Sequence, residues 1–294
     1  MFKSGNPEPA GDSKYLVNAA TEMYDAMSKE TGVFFHHMLD LGLMDLETKA
    51  GKAPGGYCIY FPVNETPFVF ANFNGTQDDV NVLTHEMGHG FQMYSSRGIK
   101  QPEYRGPTLE LAEVHSMSME FLAWPYIDKF FGKDANKYKY SHLVDAIEFL
   151  PYGISVDEFQ HWVYENPKAT HEERCAKWRE IEIKNTPHKV YDDTPNLNRG
   201  LYWLRQGHIF SSPFYYIDYT LAQVVAFQFL AESQKNYAKA WKKYAKLCKM
   251  GGKYPFIKML EVNSLRNPFE DGNVEKAIKG CEKILKNIDI SKYE

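Results

Sequence analysis

The run Leu83-Thr84-His85-Glu86-Met87-Gly88-His89-Gly90 decides how the chain is read. On an α-helix, residues i and i+4 lie one above the other, so the imidazoles of His85 and His89 leave the same face and can bind one divalent cation. Glu86 is rotated by about 100° from His85. It can reach a water at that cation without competing as a ligand. Two imidazoles and one carboxylate suit four-coordinate zinc, with the fourth position left for water or substrate. Alone, the string arises by chance in roughly 2–3% of chains of this length and composition, so its surroundings must carry the argument. Thr76 or Asp78 can cap a helix running to Arg97, Gly98 follows as its stop, and Val80, Leu83, Met87 and Tyr94 form an apolar stripe. Gly88 and Gly90 each cost roughly 1 kcal/mol relative to Ala in such a helix. A close neighbour, either a crossing helix or the metal site, would explain them.

A third ligand is needed, and the next helix, expected over Leu109–Phe131 with a bend at Pro125, offers Glu110 and Glu113. Residues i and i+3 share a face, so spacing does not choose between them. Glu120 lies two turns beyond Glu113 on that face and can accept a hydrogen bond from a ligand imidazole. Leu111, Ala112, Val114, Met117 and Met119 surround these carboxylates with apolar positions, which argues against a solvated face.

Further out, the chain reads as predominantly helical. Helices are expected at Ser13–Lys29, with Gly32 beyond its end, and at Val33–Leu43. Others are expected at Ala135–Phe149, Val156–Glu165, His171–Lys184, Pro213–Glu232, Ala238–Met250 and Asn273–Asn287. Tyr57–Phe61 and Pro67–Phe73 have the β-branched and aromatic bias of strands, and Asn74-Gly75 marks a turn. The expected fold is mainly α (α+β): a helical body of one domain over residues 1–294, with a small sheet beside the His85–His89 helix. Pro67 suggests an edge strand to which an extended peptide could add, and Gly55-Gly56-Tyr57 a loop that allows close backbone approach.

Composition excludes other classes. The 294 residues carry 34 Lys+Arg against 38 Asp+Glu, a formal net charge of -4, and no basic cluster exceeds Lys242-Lys243. Nucleic-acid binding, which depends on clustered cations, is not expected. The longest apolar stretch, Leu221–Ala231, contains Gln223 and Gln228 and falls short of the ~20 residues that span a bilayer. The start, Met1-Phe2-Lys3-Ser4-Gly5, lacks the apolar core of a secretory signal. Cys58, Cys175, Cys248 and Cys281 are far apart, as reduced thiols of a cytoplasmic protein would be. On a helix after Pro213, Tyr216, Tyr219 and Gln223 share a face, and Tyr215 pairs with Tyr219 at i, i+4. Phenols in such a setting are most often core residues. His36, His37, His142, His161, His171 and His188 have no ligand spacing, and His115 points away from the ligand face.

Three segments together resemble the thimet-oligopeptidase and oligoendopeptidase F family of zinc metallopeptidases. They are Phe68-Val69-Phe70-Ala71-Asn72-Phe73-Asn74-Gly75-Thr76 leading into Leu83–His89, then Leu111-Ala112-Glu113-Val114-His115-Ser116-Met117-Ser118-Met119-Glu120, then His208-Ile209-Phe210-Ser211-Ser212-Pro213-Phe214-Tyr215-Tyr216-Ile217-Asp218-Tyr219. The resemblance extends over essentially the whole chain and favours Glu113 as third ligand. It implies one zinc ion on His85, His89 and Glu113, with Glu86 as general base. It also implies His208, Tyr216 and Tyr219 as donors to the oxyanion, with Tyr215 the competing phenol. The expected activity is endopeptidase cleavage of short oligopeptides in the cytoplasm, inside a helical, clam-like body.

Members of that family are usually about twice this length. The chain therefore resembles their C-terminal catalytic half, and a missing N-terminal half or a homo-oligomer is expected to complete the cleft. The competing expectation is a remnant that binds zinc or peptide without cleavage. Retention of Glu86 argues against it, because a purely structural site needs no base there.

Overall fold

The computed structural model describes residues 2–293. It contains, in order, α1 (Ser13–Met27), α2 (Lys29–Asp40), β1 (Met44–Glu47), β2 (Tyr57–Phe61), β3 (Thr66–Phe73), α3 (Gln77–Ser96) and α4 (Leu109–Leu122). There follow α5 (Asp128–Phe131), α6 (Ala135–Glu165), α7 (His171–Asn185), α8 (Pro195–Asn198), α9 (His208–Ser211), α10 (Tyr216–Ser233), α11 (Tyr237–Lys249), α12 (Phe256–Val262) and α13 (Asn273–Leu285). The fold is mainly helical with a small sheet. The chain divides into two compact units, one of residues 1–143 with 224–294 and one of residues 144–223.

In the first unit the sheet has the order β1-β3-β2, with β1 parallel and β2 antiparallel to β3. β3 is thus the central strand and not the edge that Pro67 suggested, with strands on both sides from Val69 onward. Pro67 pairs opposite Tyr60, while β1 joins β3 only from Val69, opposite Met44. The missing N–H falls at the start of the strand, ahead of the stretch that is paired on both sides. The four residues of β1 were too few for a period to be read from the sequence.

Two helix boundaries also differ from expectation. α1 and α2 meet at Ser28, which caps α2 by accepting from the Thr31 N–H at 3.1 Å. Gly32 lies inside α2 and not beyond the end of α1. A side chain there would place its first carbon 2.6 Å from Asp25 Oδ1, so glycine lets the two helices approach. The helix expected over Leu109–Phe131 ends instead at Leu122, and Pro125 sits in a 3-10 turn, Trp124–Tyr126. By contrast, Pro151 lies within one helix, α6, where the sequence suggested two. Burial of Leu150, Val156 and Phe159 outweighs the lost backbone bond.

α3 is the pivot of the first unit. Its N-terminus is fastened by Asp79, whose carboxylate accepts from the N–H groups of Asn74 (2.9 Å) and Gly75 (2.8 Å). Thr76 occupies the N-cap position but makes no side-chain cap bond, and donates to Asn74 Oδ1 instead. Val80, Leu83, Met87 and Phe91 are buried, and Phe91 stacks on Tyr244 of α11. Gly88 marks the crossing with α4: a Cβ there would lie 2.7 Å from His115 O and from Ser116 Cα. Gly90 fits against Phe34, 2.9 Å from the position its Cβ would take. The two glycines thus serve helix contact. The second unit packs around buried Val156, Phe159, Cys175, Trp178, Ile181 and Trp203, and α7 opens on a reciprocal cap between Thr170 and Glu173.

Gly88→Ala should therefore destabilise the protein by about 1–3 kcal/mol, although Ala gains roughly 1 kcal/mol over Gly in an open helix. Gly98→Ala, which meets nothing within 4 Å, should be neutral within about 0.5 kcal/mol. Urea unfolding of both variants checks this.

Candidate metal centre

The helical repeat of α3 puts His85 and His89 one turn apart, with ring centroids separated by 5.0 Å. The close crossing at Gly88 brings α4 alongside. Glu113 Oε2 lies 3.3 Å from His85 Nε2 and 3.4 Å from His89 Nε2. One donor atom of each residue falls within 4.8 Å of the others, the one such cluster among the described residues. Glu110, on the first turn of α4, is not part of it.

These separations are informative. Three ligands at roughly 2.0–2.1 Å from a tetrahedral ion have neighbouring atoms about 3.3–3.4 Å apart. The same gap is long for a charge-assisted N–H···O bond, which is about 2.7–2.9 Å. The donor set and its spacing therefore fit a divalent cation better than a plain hydrogen-bonded trio. Ser116 Oγ, 3.0 Å from Glu113 Oε2, steadies the carboxylate.

The electrostatics agree. Glu113 is only 2% exposed. Burial pushes its carboxyl up, but His89 and His85 more than reverse this and hold it well below the usual range. Burial pushes the His85 imidazole down, and hydrogen bonds to Glu113 and Glu120 overcome that to raise it well above its ordinary value. Glu120 Oε1 is 2.7 Å from His85 Nδ1, which is the orienting contact that the α4 spacing suggested.

Glu86 differs from these. Its Oε2 is buried and has no hydrogen-bond partner among the described residues. Burial pushes its carboxyl up, and His85 and His89 pull it only part of the way back. Gly56 lies beside it: a Cβ there would sit 3.4 Å from Glu86 Oε1. A buried carboxylate of raised pKa, next to a cation site and with one oxygen unpartnered, can take and return a proton. His115 is fully enclosed, with Nδ1 3.4 Å from Cys248 Sγ, and burial pushes its imidazole down to about 3. It has a packing role.

In the second unit, His208 on α9 gathers the tyrosines around α10. Its ring centroid is 5.1 Å from that of Tyr216, 5.7 Å from Tyr219 and 6.1 Å from Tyr215. Burial pushes the Tyr216 hydroxyl up, so it remains a proton donor. Gln206 Nε2 is 2.6 Å from His208 Nδ1, and Gln206 Oε1 accepts from Tyr152 at 2.9 Å.

Sequence reasoning missed Gln206 and Tyr152, and also His142, whose Nε2 is 2.7 Å from Glu120 Oε2. None of these contacts has a periodic spacing. A consequence of the cluster is that Glu113→Gln should weaken divalent-metal binding at least ~10-fold, with Glu110→Gln unchanged. Metal content after dialysis against a chelator series measures both.

The profile of peptidase family M3 matches residues 20–278. Among solved structures, PZ peptidase A with inhibitor 2 is 52% identical over 97% of this chain and 51% of its own, with a TM-score of 0.95. A candidate oligoendopeptidase F from Bacillus anthracis str. Ames is 49% identical over 98% of this chain and 49% of its own, TM-score 0.88. A candidate peptidase from Chlamydophila abortus, 19% identical with a TM-score of 0.71, shares the fold. No curated protein sequence matches. The chain spans about half the length of the solved structures it resembles. With the family profile spanning nearly all of it, and a His-His-Glu cluster at the crossing of α3 and α4, the chain belongs to peptidase family M3.

Proposed function

We propose that the chain is a zinc-dependent endopeptidase that hydrolyses internal bonds of short oligopeptides. The observation that carries this reading is the buried, unpartnered carboxylate oxygen of Glu86 beside the three-donor cluster. A site that only held a metal for stability would have no use for it. His85, His89 and Glu113 would hold the ion. The chemistry supplied by zinc there is Lewis-acid polarisation of the scissile carbonyl and acidification of water.

The chain's own residues do the rest. Glu86 accepts the proton of the attacking water, for which its raised pKa suits it, and returns that proton to the leaving amine. His208, Tyr216 and Tyr219 donate hydrogen bonds to the oxyanion of the tetrahedral intermediate, a role supported by the likeness of segment 208–219 to the family's pattern. Gly56 leaves room beside Glu86 that a larger residue would fill.

No helix among the described residues is long and apolar enough to cross a membrane. The four cysteines are free, which supports a reducing, cytoplasmic setting. A further polypeptide segment or a second copy of the chain would complete the cleft, in keeping with the greater length of the relatives.

Glu86→Gln should retain metal while kcat falls about 10²–10⁴-fold. Chelator-reversible cleavage of an internally quenched peptide by the wild type, blocked at both termini, tests the activity. A wild type that binds both zinc and peptide but does not cleave would instead identify a binding module. Tyr219→Phe should lower kcat roughly 10²–10³-fold with little change in KM; an unchanged kcat moves the role to Tyr216 or Tyr215.

A further inference from the structure

We propose that Trp124 and His142 are positioning residues for the metal ligand His85, acting through Glu120. The inference rests on the metal-centre reading above and concerns residues outside the three segments that carry the resemblance.

The indole N–H can donate but never accept. Trp124 Nε1 lies 3.0 Å from His142 Nδ1, and both side chains are buried. His142 Nδ1 must therefore be the acceptor, which puts the ring's single proton on Nε2. That nitrogen is 2.7 Å from Glu120 Oε2, so it donates. The other carboxylate oxygen, Oε1, receives the Nδ1–H of His85 at 2.7 Å. With Nδ1 carrying the proton, His85 can offer its Nε2 lone pair towards the point shared with His89 and Glu113. The indole, which only donates, and the carboxylate, which only accepts, fix the direction of every bond in the series.

The His142 ring has little freedom to leave this arrangement. Tyr138 stacks on it at 5.4 Å and 26°, and Phe121 lies 5.0 Å away on centroid distance. Tyr138 is itself held by Asn81, one turn ahead of His85 on α3. Within that slot the remaining freedom is which ring nitrogen bears the proton. Were it Nδ1, two donors would face each other at the indole, and a lone pair would face Glu120. The carboxylate would lose one of its two anchors and could pivot away from His85. The break at Pro125 gains a purpose here, since the 3-10 turn after α4 is what carries Trp124.

Histidine side-chain 15N spectra of metal-free protein read the tautomer directly. The expected result is His142 protonated on Nε2 in the wild type, with the Nδ1 resonance moving downfield in Trp124→Phe as that nitrogen loses the indole hydrogen bond. Zinc affinity by chelator competition should fall roughly 10-fold in Trp124→Phe and in His142→Leu. His142→Gln, which keeps an acceptor for the indole and a donor for Glu120, should stay within about 3-fold of wild type. A wild-type His142 protonated on Nδ1, or His142→Leu binding zinc as tightly as His142→Gln, overturns the proposal. Should Trp124→Phe fail to fold, the wild-type tautomer and the Gln/Leu pair still decide it. A wild type with no zinc affinity overturns the metal centre itself, whereas zinc binding indifferent to position 142 overturns only this role.

Discussion

The backbone contact between α3 and α4 at Gly88 is the constraint on which the centre depends. Two helices normally pack with axes about 8–10 Å apart, held off by their side chains. Here the position a Cβ would occupy on α3 is 2.7 Å from the α4 backbone. Removing that one carbon brings Glu113 within 3.3–3.4 Å of both imidazoles. The same approach places Glu120, seven residues further along, at the far side of His85. One imidazole is thus hydrogen-bonded to Glu120 through Nδ1 and faces Glu113 across a 3.3 Å gap through Nε2, the two carboxylates lying two turns apart on a single helix face. Any residue larger than glycine at position 88 would separate the ligand from its partners.

That proximity creates an electrostatic problem, which the site solves unevenly. Two carboxylates, Glu86 and Glu113, are buried and a third, Glu120, is half-buried, with His85, His89 and His142 close by. Glu120 meets the cost of burial by accepting from His142 and His85, which overcome desolvation and hold its carboxyl down at about 2. Glu113 is held down by the two ligand histidines. Glu86 has no such donors, so burial prevails and its carboxyl is pushed up. Two acids are fixed as anions to orient or bind, and a third is left able to exchange a proton. The division of labour comes from hydrogen-bond supply and not from residue type.

Much of this was legible in the residues themselves. The i, i+4 pair of histidines, the glycines beside them and the apolar stripe of α3 all follow local period, which is a property of the single helix. Glu120's contact with His85 was readable because seven residues make two turns. Tertiary pairing was not readable. Pro67 suggested an edge strand because proline lacks a donor, but the four-residue β1 covers β3 only beyond that point. Two helices were expected, ending at Phe149 and starting at Val156, yet α6 continues through Pro151, because burial on both sides offsets the local cost.

Sequence alone therefore determined the candidate ligand types, the helix that presents two of them and the face on which a third would lie, since each depends on spacing within one element. It narrowed the third ligand to Glu110 or Glu113 by physics, and to Glu113 only by resemblance. The tertiary structure brings Glu113, and not Glu110, to the two imidazoles, by the register at which α4 crosses Gly88. It also supplied Trp124, His142, Gln206 and Tyr152 as hydrogen-bond partners. Most such contacts join residues distant along the chain, and even the two-residue step from Gln206 to His208 depends on how the loop turns. Hydrogen-bond direction depends on which atoms meet in space, and no periodicity in a sequence encodes that.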